Sequence, residues 1–126
     1  MNSFVFATDS NFARGDDALI VDVPLYLEDK KALFAWFANS LSLPNYFGAN
    51  WDALDECLRD LSWIQQRKII LVHSKLPLSG NKVDQLTYVE MLNSVVQSWN
   101  SDDAHDITVI FDPSCQSAIN ALTAGA

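Results

Sequence analysis

The run Lys68-Ile69-Ile70-Leu71-Val72-His73 constrains this 126-residue chain more than any other feature. Its four central residues are all apolar, and three of them are β-branched. A strand of that kind has no face to give to water, so it must be covered on both sides, as strands inside parallel sheets are. Two more runs read as its companions. Ala18 to Val23 is rich in β-formers and is ended by Pro24, and Ile107 to Phe111 is stopped by Pro113. Phe4 to Ala7 reads as a short first strand or an ordered N-terminal arm.

Helical spacing fills the intervals. Leu33, Phe34, Phe37 and Leu41 recur every three or four residues and predict a helix over Glu28 to Leu41, with Glu28 and Asp29 in its first turn. Leu43-Pro44 stops it. A second helix spans Trp51 to Leu61, with Asn50 as its N-cap and Trp51, Leu54, Leu58 and Leu61 on its apolar side. A third covers Asn81 to Trp99, with Leu86, Val89, Leu92, Val95, Val96 and Trp99 on its stripe. Asn11 to Asp17 and Leu76 to Gly80 read as loops, Ser101 to Ala104 as a turn, and Gln116 to Leu122 as a short closing helix. Strands thus alternate with helices, β-α-α-β-α-β. The expected fold class is α/β, a small three-stranded parallel sheet packed with three to four helices in a single domain.

Composition narrows the function. Sixteen Asp and Glu against eight Lys and Arg leave a formal charge of −8 and a pI near 4.4. Phosphate recognition needs a basic stripe, so a direct nucleic-acid or anionic-membrane partner is not expected, whereas a basic protein would be attracted. No apolar run approaches the length of a membrane span, and Phe4 to Ala7 lacks the basic leader of a secretory signal. Cys57 and Cys115 form no disulfide framework; reduced thiols are the default, with a single bridge between them left open.

Enzyme signatures are largely missing. Four glycines form neither a G-x-G-x-x-G nor a G-x-x-x-x-G-K-[ST] loop, and His73 and His105 stand outside any metal-ligand spacing. No metal and no cofactor is expected. What remains is the second helix, where Asp52 and Glu56, and Glu56 and Asp60, are like charges four residues apart. Asp55 and Arg59 are the compensating pair. Three readings are open: a solvated helix face, a carboxylate patch awaiting a cationic partner, or an Asp52–Glu56 acid/base pair in a pocket. The loop before the helix, Asn45-Tyr46-Phe47-Gly48-Ala49-Asn50, places aromatics beside the acids, a composition common at interface centres. Tyr46 is the better candidate for an exposed contact, Phe47 and Trp51 for burial, and Gly48 for setting the turn that launches the helix.

The segment from Leu43 to Leu58, LPNYFGANWDALDECL, resembles the core motif of the barstar family, intracellular inhibitors of secreted ribonucleases. That motif reads roughly L-P-x-Y-[YF]-G-x-N-x-D-A-L-x-[DE]-[CA]-L, and the order of elements fits over about residues 18 to 112. The resemblance implies a non-catalytic α/β domain that plugs the active site of a basic ribonuclease with this helix and the loop before it. The key inhibitory acid falls on Glu56, the first aspartate on Asp52, the tyrosine on Tyr46, the glycine on Gly48 and the asparagine on Asn50. There are departures. The best-known member has aspartate where Glu56 stands, a tryptophan where Asp55 stands, and an acid on the third helix where this chain has Gln97-Ser98-Trp99. These leave the inhibitor class in place and the target open.

The function expected is therefore a cytoplasmic immunity or antitoxin protein that blocks a basic ribonuclease or nuclease toxin one to one. Its expected contact residues are Tyr46, Phe47, Gly48, Asn50, Trp51, Asp52, Asp55 and Glu56. The alternative is a non-inhibitory interaction module that binds another basic protein through the same face.

Overall fold

The computed structural model describes residues 4–8, 18–24, 26–44, 48–99 and 104–124. The loop expected at 11–17 and most of the turn at 101–104 lie outside them. In chain order the elements are β1 (Val5–Phe6), β2 (Ala18–Val23), α1 (Lys30–Ser40), α2 (Trp51–Asp60), β3 (Lys68–His73), α3 (Lys82–Ser98), β4 (Asp106–Phe111) and α4 (Gln116–Ala124), with a 3-10 turn at Pro113–Cys115 before α4.

The sheet is parallel throughout, in the order β1-β4-β3-β2. It has four strands where three were expected. The added strand is the two-residue β1, whose Val5 and Phe6 pair with Ile110 and Phe111. Phe4 and Phe6 pack on the Phe111 ring at centroid distances of 5.1 and 6.4 Å. Ring burial holds an element too short to have a pattern of its own. β3 is central, and Ile69, Ile70 and Leu71 are buried in succession, so neither of its faces is given to water.

Register stacks the core face of the sheet in three ranks: Leu19–Ile69–Ile107, Val21–Leu71–Val109 and Val23–His73–Phe111. Against it lie Leu33 and Phe37 of α1, Leu54 and Leu58 of α2, Tyr88, Leu92 and Val95 of α3, and Ile119 of α4, all buried. Each fully buried aliphatic or aromatic side chain contributes on the order of 1.5–3 kcal/mol.

Helix ends follow cap chemistry. α1 begins two residues later than expected because Asp29 is its N-cap, its carboxylate accepting from the Ala32 N–H at 2.8 Å. Asn81 caps α3 in the same way, and Trp99 lies just past its end. α2 closes at Asp60, with Leu61 as a left-handed C-cap at φ 51°. The Trp63 indole N–H donates to Leu41 O at 2.8 Å and the Trp99 indole N–H to Leu58 O at 3.1 Å. Each satisfies a carbonyl at the end of a helix, α1 and α2 respectively, that has no intrahelical donor.

His73 is the buried polar centre. Its ring stacks on Phe111 at 4.2 Å, Nδ1 lies 3.1 Å from Ile110 O, and Nε2 lies 2.6 Å from the Tyr88 hydroxyl. A carbonyl only accepts, so Nδ1 carries the proton, and bare Nε2 accepts from Tyr88. The network suits the neutral ring. Burial lowers the His73 pKa to about 4, against the opposing pull of the Ile110 and Leu71 backbones. An unfolded histidine titrates near 6.5, so between these values the unfolded chain binds more protons and stability drops as pH falls. Urea unfolding should show this contribution fully intact above about pH 7, with a loss approaching about 3 kcal/mol by pH 4. The His73→Phe, Tyr88→Phe double variant should lack that step.

Candidate functional site

α2 starts where its sequence says it must. The Asn50 side chain accepts from the Ala53 N–H at 2.8 Å while its own amide reaches Gly48 O at 3.4 Å. One side chain thus ties the loop to the first turn. The left-handed residue of this turn is Ala49, at φ 53°, so Gly48 does not shape the turn through a positive φ. Gly48 is short for a different reason: a Cβ there would stand 3.2 Å from the Asn50 amide nitrogen. Asp52 lies in the first turn and Arg59 in the last, both favourable to the helix dipole.

The eight expected contact residues divide by position. Tyr46 and Phe47, with Asn45, lie outside the described residues. Gly48 and Asn50 are exposed, and Asn50 is spent on capping. Trp51 is half-buried, its ring 5.0 Å from Phe34 in an edge contact and 6.4 Å from Tyr88. It anchors the start of α2 to α1 and α3. Asp52 and Glu56 are exposed, and Asp60 continues their row. At about 100° per residue each step of four advances about 40°, so the three carboxylates spiral along one face. None of them has a cationic partner among the described residues.

Asp55 is placed differently. It is half-buried on the α3 side, where Arg59 Nε reaches both its carboxylate oxygens at 3.0 and 3.1 Å. The same guanidinium donates to Ser94 Oγ on α3 at 2.6 Å. The i, i+4 spacing of Asp55 and Arg59 announces their pairing, but nothing local announces Ser94. Arg59 thus has a second contact, from another helix, that its local spacing does not announce.

The inward face of α2 is Leu54, Cys57 and Leu58. Burial, then the Asp60 and Glu56 carboxylates, push the Cys57 thiol pKa up, and burial does the same to Cys115. Both are free, and neither is poised as a nucleophile. His73 has both ring nitrogens committed to Ile110 and Tyr88. An acid/base pair needs a desolvated recess. Three cavities lie elsewhere: a groove of about 510 Å³ between α3 and α4, a trough of about 360 Å³ beside α1 and Ala49, and a recess of about 330 Å³ near Leu19 and Trp63. Asp52 and Glu56 line none of them, and both stand in water on the outside of a helix.

No helix among the described residues is long and apolar enough to cross a membrane. The arrangement is an exposed row of carboxylates on the outer face of a helix, suited to meeting cations on a complementary surface. Replacing the cap should loosen it: Asn50→Ala lowers stability by about 1 kcal/mol, read as a lower urea midpoint, while Asn50→Asp keeps most of it.

Among known families, the model for Barstar (barnase inhibitor) matches residues 26–112, more than two thirds of the chain. Comparisons with curated proteins and with solved structures return no match.

Proposed function

The chain belongs to the Barstar family, and from that premise we propose that it inhibits a basic ribonuclease by laying α2 and the loop before it across the enzyme's active site. The observation that carries this reading is the exposed row of Asp52, Glu56 and Asp60 on a helix whose other faces are pinned. Carboxylates in that row stand in for RNA phosphates. Arginine, lysine and protonated histidine of the nuclease give each of them charge-assisted hydrogen bonds. The chain's charge of −8 speeds encounter with a basic enzyme.

Glu56 is the central acid, Asp52 supports it near the helix start, and Asp60 lies toward the rim. Tyr46 is the loop's contact residue, on the strength of its place in the family motif. Asn50 and Trp51 hold the loop and helix in register. Binding is one to one, the setting is the cytoplasm, and the protein acts as the immunity partner of a nuclease toxin without chemistry of its own.

The test is inhibition of RNA cleavage by the purified chain, first against barnase and then against a basic nuclease encoded beside its gene. Unmodified chain should block at least one of them stoichiometrically by calorimetric titration. Glu56→Ala should weaken the block by about a hundredfold or more, and Asp52→Ala by about tenfold or more. Asp60→Ala should change it less, and affinity should fall steeply with added salt. An equally basic partner that is bound but cleaves no RNA would favour the interaction-module reading. Inhibition indifferent to Glu56→Ala and to salt would overturn the mechanism.

A further inference from the structure

We infer that Arg59 is a specificity-determining residue of the acidic face, placed to meet a carboxylate that the partner carries in the same cleft as its cations. This rests on the inhibitor reading above and adds to it a requirement on the partner. Arg59 stands about 20° around α2 from Asp52, so it lies beside the carboxylate row on the side toward α3. Its side chain is 36% exposed. Nε–H serves both oxygens of Asp55, and one N–H of a terminal nitrogen serves Ser94 Oγ. A guanidinium has five N–H donors, and the remaining three have no partner among the described residues.

Contacts to two helices make this a fixed charge. A long surface side chain can usually swing aside, but Arg59 can do so only by breaking its bonds to Asp55 and Ser94 together. A surface laid along Asp52, Glu56 and Asp60 therefore meets a cation held in place. Opposite it, another cation would be strongly unfavourable. A carboxylate would complete a forked, charge-assisted pair. An RNA-cleaving centre supplies such a group where the base that takes the 2′-hydroxyl proton, beside the cations that hold phosphate, is an aspartate or glutamate. The chain is thus matched to ribonucleases whose base is a carboxylate, in preference to clefts built from histidines and cations alone.

The decisive feature is the sign of a charge change. Arg59→Gln and Arg59→Glu both make an acidic inhibitor more acidic, so steering alone predicts tighter binding to a basic enzyme. The inference predicts weaker binding. The experiment measures Kd for barnase and for the nuclease encoded beside the gene, using the full chain, with urea midpoints to verify folding. Against whichever enzyme the unmodified chain binds, Arg59→Glu should raise Kd about tenfold or more, and Arg59→Gln by a smaller factor. Ser94→Ala removes the α3 contact while keeping the charge, and its effect should be smaller than that of Arg59→Gln. Neutralising the carboxylate in the nuclease cleft should abolish the difference between Arg59 and Arg59→Gln in a double-mutant cycle. Equal or tighter binding by Arg59→Glu overturns the inference and leaves the inhibitor reading standing. A loss matched in full by Ser94→Ala also overturns it, because Arg59 would then be a structural strut. Failure of the unmodified chain to bind either enzyme overturns the inhibitor reading itself, and the inference with it.

Discussion

The hydrogen bond between Tyr88 and His73 lies where the sheet, α1, α2 and α3 meet. Tyr88 is wholly buried in the middle of α3, with Phe37 of α1 and Trp51 of α2 in ring contact on its flanks. Burying a hydroxyl and an imidazole without partners would cost several kcal/mol, so each makes the other tolerable. The bond is directional in a way that apolar packing is not. It sets the rotation of α3 relative to β3, and through Trp51 it sets where the first residue of α2 can lie. The acidic helix inherits its position from the interior of the protein.

A row of like charges works against the helix that carries it. Repulsions at i, i+4 cost a few tenths of a kcal/mol each, and the row contains two such steps. The offsets come from outside the row. Asn50 caps the start, Leu61 turns the end left-handed, and Trp99 satisfies the Leu58 carbonyl. Arg59 draws Asp55 out of the repulsive set toward Ser94. These contacts let the carboxylates stay uncompensated on one face without unravelling the helix beneath them. In the proposed complex a partner would meet charges that are already ordered and spend little binding free energy arranging them.

Much of this was legible in the residue pattern. The apolar run of β3, the three-four spacing of α1 and the Asn50 cap are local signals, and local signals place elements. The motif around α2 pointed to the family whose model matches residues 26–112. What was not legible depends on residues far apart in sequence. β1 has two residues and a partner over a hundred positions away. The phase of α3 was also obscured: Gln85 and Tyr88 are buried while Leu86 is half-exposed. Gln85 is tolerated inside because its amide donates to Pro77 O at 2.9 Å, and Tyr88 because of His73. A hydrophobic stripe read from the sequence cannot see polar residues whose partners come from another element. Ala49 is similar. Glycine is the default residue for positive φ, yet here the alanine takes the left-handed conformation and the glycine makes room for a side chain.

The choice of glutamate at position 56 gains its meaning from how firmly α2 is held. On a loose helix an extra methylene would be absorbed by a small shift of the backbone. Here Trp51 at one end and the Arg59–Ser94 and Trp99–Leu58 contacts toward the other fix the axis, so the extra length goes outward into solvent. In the proposed complex it would carry the charge deeper into an opposing cleft and add one torsion to be frozen on binding, at a cost of about 0.5–1 kcal/mol. That cost is recovered only in a cleft deep enough to receive the longer acid. A shallower cleft shaped for aspartate would either hold the carboxylate off its cations or force it into a strained rotamer. If the proposed inhibition holds, target choice turns on two neighbouring side chains: Glu56 would set the depth at which negative charge is delivered, and Arg59 which charge the partner must present beside it.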